Sequence, residues 1–284
     1  MKSKYFLITG CSTGIGEACA LHFAKKGHRV FAGVRKKGDG QALEKKAGAN
    51  LTPLILDVTS QKSITDSFKL VSDFNPEGLD GLVNNAGIVV AGPQEFIPIE
   101  AFRRQLEVNV TGPMAVTQAF LPLLRKRRGR ILNMGSLSGL TAIPFVGPYA
   151  ASKFALRGLT DALRLELHPW GIRVVLIEPG PIATPIWEKS KTLAFEMVEN
   201  VPEAERYYGK VLKDFVKGME RTVRMAVSPQ TVVDVVEDAL LSKNPKIYYP
   251  VGRAAKLQAA LAHLVPQTLM DKIIMTGMGL SHLN

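Results

Sequence analysis

The sequence predicts a doubly wound α/β fold, and three observations carry that prediction. Apolar runs rich in Val, Ile and Leu recur along the chain, segments of helical period separate them, and a glycine-rich turn follows the first run directly. The runs are continuous rather than alternating, as expected of strands buried on both faces of a parallel sheet that helices cover. At 284 residues the chain is long for one domain, yet one large sheet with helices on both faces occupies that length. With 46% hydrophobic and 21% charged residues it holds enough apolar material for a substantial core, which excludes general disorder.

In chain order, strands are expected at "YFLIT", "RVFAGV", "LTPLILDV", "LDGLVNNA", "GRILNMGS", "IRVVLIEP" and "KIYYPVG", giving a mostly parallel sheet of about seven strands. Residues 1–284 then form a single domain with two additions. Residues 185–228 carry amphipathic text such as "YYGKVLKDFVKGMERTV" where a short connection would ordinarily serve, and are expected to form a helical lid. Residues 253–284 follow the last strand as an extension, apolar with scattered charges, and must pack on something.

The two cysteines, Cys11 and Cys19, are too few and too close for a disulfide framework, which favours a reducing, cytoplasmic setting. The amino-terminal apolar run is too short for a signal-peptide core and reads as a first strand. The carboxy-terminal apolar stretch is broken by Pro266, Asp271 and Lys272, so no spanning helix is expected. A net charge of +11 favours anionic partners. The densest basic cluster, "RKRRGR" at 125–130, falls where a helix should end and lacks interleaved aromatics, so it reads as a solvated helix terminus rather than a nucleic-acid patch. His22, His28, His168, His263 and His282 show no metal-ligand spacing, and no metal is expected.

After the first strand, "TGCSTGIGEACALHFAKKG" places Gly10, Gly14 and Gly16 in a turn that opens a helix. Glycines there allow a tight turn and let a pyrophosphate approach backbone N–H groups at the positive end of the helix, as in a Rossmann dinucleotide site. A carboxylate at the end of the second strand would receive the ribose hydroxyls of NAD, but the chain runs instead into Arg35, Lys36 and Lys37. Guanidinium suits a ribose 2′-phosphate, and Ser12 adds a hydroxyl, so NADP(H) is expected over NAD(H).

"VGPYAASKFA" sets Tyr149 and Lys153 at i and i+4, on one face of a helix, and Ser136 ends the strand "GRILNMGS" upstream. A phenol titrates near 10 and is a poor acid or base at neutrality unless shifted. An ammonium about 4 Å away, at an effective dielectric near 20, would stabilise the phenolate by about 4 kcal/mol, about three pKa units. Ser136 would hydrogen-bond the substrate oxygen while Tyr149 gives or takes its proton and hydride moves to or from carbon.

These residues resemble the short-chain dehydrogenase/reductase family, in its hydroxysteroid and retinol dehydrogenase-like branch, from residue 4 to about residue 252. "TGCSTGIG" is similar to the family's cofactor turn, Asp57 and Val58 to its adenine contact, "NNAG" at 84–87 to the strand end supporting sheet and cofactor, and "PGPIAT" to the segment that fixes the nicotinamide face. The resemblance implies a catalytic set of Asn109, Ser136, Tyr149 and Lys153, with Asn109 holding a water beside the lysine for a proton relay. It implies a cofactor-binding set of Gly10, Ser12, Thr13, Gly14, Ile15, Gly16, Arg35, Lys36, Asp57, Val58, Asn84, Asn85, Ala86, Gly87, Tyr149, Lys153, Pro179, Gly180, Ile182 and Thr184. It also implies a homodimer or homotetramer built on the helices that carry Asn109 and Tyr149.

Trp187, Phe195, Met197 and Phe215 offer apolar surface either for a lid over a hydrophobic substrate or for core packing. The tail is similar to that of family members acting on steroids and retinoids, without the amino-terminal anchor of membrane-anchored retinol enzymes. The expected function is NADP(H)-dependent interconversion of a lipophilic secondary alcohol and ketone. Three alternatives stand beside it: a broad reductase of small carbonyl compounds, an NAD-preferring dehydrogenase, and a regulatory protein that holds NADP without turnover. Peripheral contact of the basic surface and apolar tail with an anionic membrane is a further reading.

Overall fold

In a computed structural model, residues 3–224, 226–261, 264–278 and 280 are described. The chain alternates strands and helices: β1 (Tyr5–Ile8), α1 (Gly14–Lys25), β2 (Arg29–Val34), α2 (Lys37–Ala47), β3 (Leu51–Ile55), α3 (Gln61–Phe74), β4 (Gly81–Asn84), α4 (Ile99–Leu106), α5 (Gly112–Arg127), β5 (Arg130–Met134), α6 (Gly147–Glu166) and β6 (Arg173–Pro179). Two consecutive helices, α7 (Ile186–Glu199) and α8 (Pro202–Arg224), interrupt that rhythm before α9 (Pro229–Leu241), β7 (Tyr248–Val251), α10 (Arg253–Leu261) and α11 (Gln267–Gly277).

All strand pairs among the described residues are parallel, in the order β3-β2-β1-β4-β5-β6-β7. The order reverses between β1 and β4, and a crevice opens beyond the carboxyl ends of these two strands, where an open α/β sheet takes its ligand. Alternate residues of β1 show why the runs are continuous: Phe6 and Ile8 pack with Phe23, Val233 and Leu240 on one face, Leu7 with Phe120, Val116 and Leu124 on the other. Each such side chain, removed from water, contributes about 1.5–3 kcal/mol.

The helix ends follow local chemistry. Ser60 caps α3 by accepting the Ser63 N–H at 3.2 Å, and Pro229 opens α9 where its missing N–H costs nothing. The basic run closes α5 through Arg128 in the left-handed region, φ 49°. Its arginines are engaged by the fold: Arg125 lies over Trp170, Arg127 pairs with Asp80, and Arg130 donates to the Ala239 carbonyl at 2.7 Å.

Helices α7 and α8 leave the sheet after β6 and return at an isolated bridge between Ile182 and Val227. They close a third apolar cluster with Phe145, Ala194, Leu212 and Phe215. The expectation that the tail must pack on something is only half met. Ala255 of α10 is buried, whereas α11 has no buried residue. No helix among the described residues is long and apolar enough to cross a membrane.

Candidate active site

Gly10 and Gly14 hold φ of +70° and +65°, which L side chains rarely adopt, so glycine is required for the turn into α1. Gly16 is required for another reason: a Cβ there would lie 2.3 Å from the Gly10 carbonyl oxygen and 2.5 Å from Nδ2 of Asn85. Gly16→Ala is therefore expected to cost about 1–3 kcal/mol and to weaken nucleotide binding, both measurable by thermal melts with and without NADPH. Thr9 fastens the turn to the end of β4, its hydroxyl accepting the N–H groups of Asn85 and Ala86, each at 3.0 Å. Asn84 points the other way, donating to Oδ1 of Asn133 at 2.9 Å and to Thr117 at 3.0 Å, and so ties β4 to β5 and α5.

Along these strand ends runs a cavity of about 370 Å³. Of the sequence-predicted residues, Gly10, Ser12, Thr13, Gly14, Ile15, Arg35, Asp57, Val58, Asn85, Ala86, Gly87, Ser136, Tyr149, Lys153, Pro179, Gly180, Ile182 and Thr184 line it. Gly16, Lys36, Asn84 and Asn109 do not: Gly16 packs beneath the turn, Lys36 precedes α2 on the exposed surface, and the two asparagines are buried in support. Asp57 is the one carboxylate in the lining among the described residues. Burial pushes it up, but the N–H and hydroxyl of Thr59, at 3.0 and 2.8 Å, with the charges of Arg35 and Arg104, hold it below its usual value. Cys11 is sealed, its thiol donating to the Ile8 carbonyl at 3.1 Å and driven well up by burial, so it has no thiolate to offer.

At the other end of the cavity Ser136, Tyr149 and Lys153 converge. Ser136 also caps the turn at 137–139, accepting the Ser138 N–H at 3.1 Å. The Lys153 ammonium donates to the Met134 carbonyl at 2.6 Å and sits 5.5 Å from the centre of the Tyr149 ring. Burial raises the phenol above its ordinary value, and a hydrogen bond from Ser136 only partly offsets this. The expected lowering by the lysine is thus corrected. The ammonium is tethered to Met134 and faces the ring, and burial brings it down to about 8. In the chain alone Tyr149 keeps its proton, the state of an acid.

Lys153 makes stability depend on pH. Unfolded, it holds its proton to about 10.5; folded, it loses it near 8. Between these values the unfolded chain binds the extra proton, so this residue's contribution to stability rises with pH, and its full desolvation cost is present below pH 8. Lys153→Met is expected to stabilise the protein by on the order of 2 kcal/mol near neutrality, shrinking toward pH 10. Urea titrations across that range check it; a difference that does not change with pH would refute it.

Asn109 occupies a π-helical turn at 107–111, between α4 and α5. Its Oδ1 accepts the Ile88 N–H at 2.9 Å, and its Nδ2 donates to the Ile88 carbonyl at 3.0 Å and to Ser152 at 3.1 Å. The amide therefore fixes the chain after β4 to α6.

A family model described as "short chain dehydrogenase" matches residues 4–193. The chain belongs to the short-chain dehydrogenase/reductase family. It is 36% identical to the NADPH-dependent 3-dehydrocapnine reductase of Ornithobacterium rhinotracheale over 279 residues, 95% of each chain. To retinol dehydrogenase 5 of Homo sapiens it is 34% identical over 280 residues, 96% of this chain and 88% of that one. The crystal structure of a short chain dehydrogenase from Burkholderia cenocepacia J2315 in complex with NADP superposes with a TM-score of 0.72 at 27% identity, covering 95% of this chain and 97% of that one. This chain is therefore a nicotinamide-dependent oxidoreductase of the short-chain dehydrogenase/reductase family, similar to retinol dehydrogenases.

Beside the expected residues, this short-chain dehydrogenase brings Arg104 of α4 into the cleft opposite Arg35, and the Met134 carbonyl into contact with Lys153. Nothing in the spacing of Arg104 marks it, and a carbonyl carries no sequence signal. Thr9, the last residue before the glycine turn, was legible as a strand end but not as its fastening. Of the apolar residues in the α7–α8 segment, Trp187 lines both the cleft and a second cavity of about 290 Å³, Phe195 packs in the third apolar cluster, and Phe215 packs in that cluster and lines the second cavity. The side chain of Met197 lies outside the described residues, as do His263 and His282. Among the described residues no group of His, Cys, Asp and Glu is arranged to hold a metal.

Proposed function

We propose that this enzyme interconverts a lipophilic secondary alcohol and its ketone with NADP(H), reduction being the favoured direction. One observation carries the reading. The cleft that begins at Arg35 and ends at Ser136, Tyr149 and Lys153 shares Trp187 and Ser190 with the second cavity, which Ala91, Phe145, Leu212, Phe215 and Met219 line with apolar surface. The donor set fits a phosphorylated dinucleotide. The N-terminus of α1 and its glycine turn suit the diphosphate, Asp57 the adenine, and Arg35 with Ser12 a ribose 2′-phosphate, with Arg104 adding a second positive charge to the same cleft. Two relatives, an NADPH-dependent reductase and a retinol dehydrogenase, agree with both parts of the proposal.

When bound, the reduced cofactor supplies the hydride that the carbonyl carbon accepts. The chain's own residues manage the oxygen. Ser136 donates a hydrogen bond to it, and Tyr149 delivers the proton that completes the alcohol. Lys153 then stabilises the phenolate, and an ammonium titrating near 8 can return a proton to it at neutral pH. Asn109 and Ser152 hold the backbone of Ile88 and Tyr149 so that this geometry persists.

The test is cofactor oxidation measured over ketones graded by size and polarity, with NADPH and NADH in parallel. Apolar ring or long-chain ketones are expected to give kcat/KM at least about tenfold above small polar ones, as two or three buried methylenes allow. Higher kcat/KM for small polar ketones, or with NADH, would overturn the substrate or the cofactor assignment respectively.

A further inference from the structure

Apolar side chains stand exposed along the tail in helical register. Leu257 and Leu261 lie one turn apart on α10, with Leu264 just beyond it, and Leu269 and Ile273 lie one turn apart on α11. Leu257 is 62% exposed, Leu264 78% and Ile273 54%, whereas Met270 and Ile274, on the adjoining face of α11, are half-buried. Scattered exposed leucines need no explanation, but two consecutive helices with outward apolar stripes form a patch that a monomer in water rarely keeps.

The position of the patch is fixed by its anchors. Ala255 packs at Gly180 and Leu137, next to Ser136 and the carboxyl end of β6. Past α11, Met278 lies against Gly218 of α8, and Leu280 is buried in the lid cluster with Phe215. The tail is therefore pinned at the catalytic end of the sheet through Ala255 and again on the α7–α8 segment through Met278 and Leu280. Leu193 of α7, which lines the cleft, is itself 53% exposed.

Charge decides what covers the stripe. Residues 253–284 contain Arg253, Lys256 and Lys272 against one acid, Asp271, in a chain of net charge +11. Lys256 and Lys272 are exposed and take part in no ion pair among the described residues. A second copy of the chain would bring the same positive charge to this face, whereas anionic lipid headgroups would neutralise it. Helices of this length cannot span a bilayer, but they can lie in its interface with leucines below and lysines among the headgroups.

We propose that α10 and α11 form a docking face for an anionic membrane surface, placing the cleft mouth at the lipid so that an apolar substrate passes to the site without crossing water. This rests on the lipophilic-substrate reading above for its purpose, though not for its geometry.

The experiment is co-sedimentation of the full chain with phosphatidylcholine vesicles, with and without about a quarter phosphatidylserine, at low and high salt. Binding is expected with phosphatidylserine, weakened at about 0.5 M salt, where the Debye length falls to a few Å. Leu257→Asp with Ile273→Asp should weaken it at least about tenfold, since one such side chain alone is worth about that in partition. Lys256→Glu with Lys272→Glu, confined to exposed positions, should weaken it similarly. Each variant should retain turnover of a water-soluble ketone, which shows that it is folded. Absence of binding to phosphatidylserine vesicles overturns the proposal, as does binding that neither pair of substitutions changes. So does a dimer in light scattering that the aspartate pair splits while the parent ignores vesicles, which would assign the face to a second copy. Vesicle binding through these residues by a chain that reduces no lipophilic ketone would instead overturn the substrate reading and leave the docking face standing.

Discussion

Tyr149→Phe is expected to lower kcat by about 100- to 10,000-fold while leaving NADPH binding within about twofold of the parent. The substitution removes one oxygen and keeps the ring, so the cation contact with Lys153, 5.5 Å from the ring centre, persists. What disappears is the proton donor and the partner of Ser136. Because burial raises the phenol, the parent enzyme should hold this proton well above neutrality in the absence of substrate. Turnover in the reducing direction should therefore fall only as the pH rises through the range in which Lys153, near 8, loses its charge. Stopped-flow turnover together with fluorescence titration of NADPH separates the two effects. A variant that turns over like the parent would remove Tyr149 from the chemistry; one that no longer binds NADPH would show a role in the nucleotide cleft instead.

The second large effect concerns the choice of cofactor. Arg35→Glu is expected to raise KM for NADPH about ten- to a hundredfold and to lower KM for NADH, so that the preference reverses. A hydrogen bond to a charged group contributes about 1.5–3 kcal/mol, and the exposure of Arg35 places the loss toward the lower end. The introduced carboxylate adds repulsion toward a 2′-phosphate and an acceptor for ribose hydroxyls. Arg104 faces the same cleft from α4 and keeps some positive potential there, so Arg35→Glu should retain weak NADPH activity rather than none. Parallel kinetics with the two cofactors check this; equal loss with both would assign Arg35 to the shared adenosine moiety.

The strands were legible because each is buried on both faces, and the glycine turn because only glycine tolerates its dihedral angles and close contacts. Where the expected strands overran the ladder, the excess lines the cleft. "LTPLILDV" pairs only through Ile55 and "LDGLVNNA" only through Asn84. Beyond those points the chain stops pairing and carries Asp57, Val58 and Asn85 into the cleft. Hydrophobicity continues past the hydrogen bonds, so sequence pattern alone sets the end too late. The phenol–ammonium pair was legible as a spacing but not as an electrostatic balance. Its sign depends on burial, which belongs to the packing around α6, while the ammonium's hydrogen bond to the Met134 carbonyl comes from β5. The Asn109 contacts come from the π-helical turn between α4 and α5, and no periodicity announces it.

The bridge between Ile182 and Val227 brings the two stems of the α7–α8 excursion together, with the Ala183 N–H on the Val227 carbonyl at 3.0 Å and the Val227 N–H on the Pro181 carbonyl at 3.1 Å. Everything between those stems is held at its base as a cassette, and the entropy of closing a loop grows only slowly with its length. Natural variation or deliberate grafting can thus lengthen, shorten or replace the segment without re-registering β6, and evolution can retune molecular selectivity while the proton donor stays untouched.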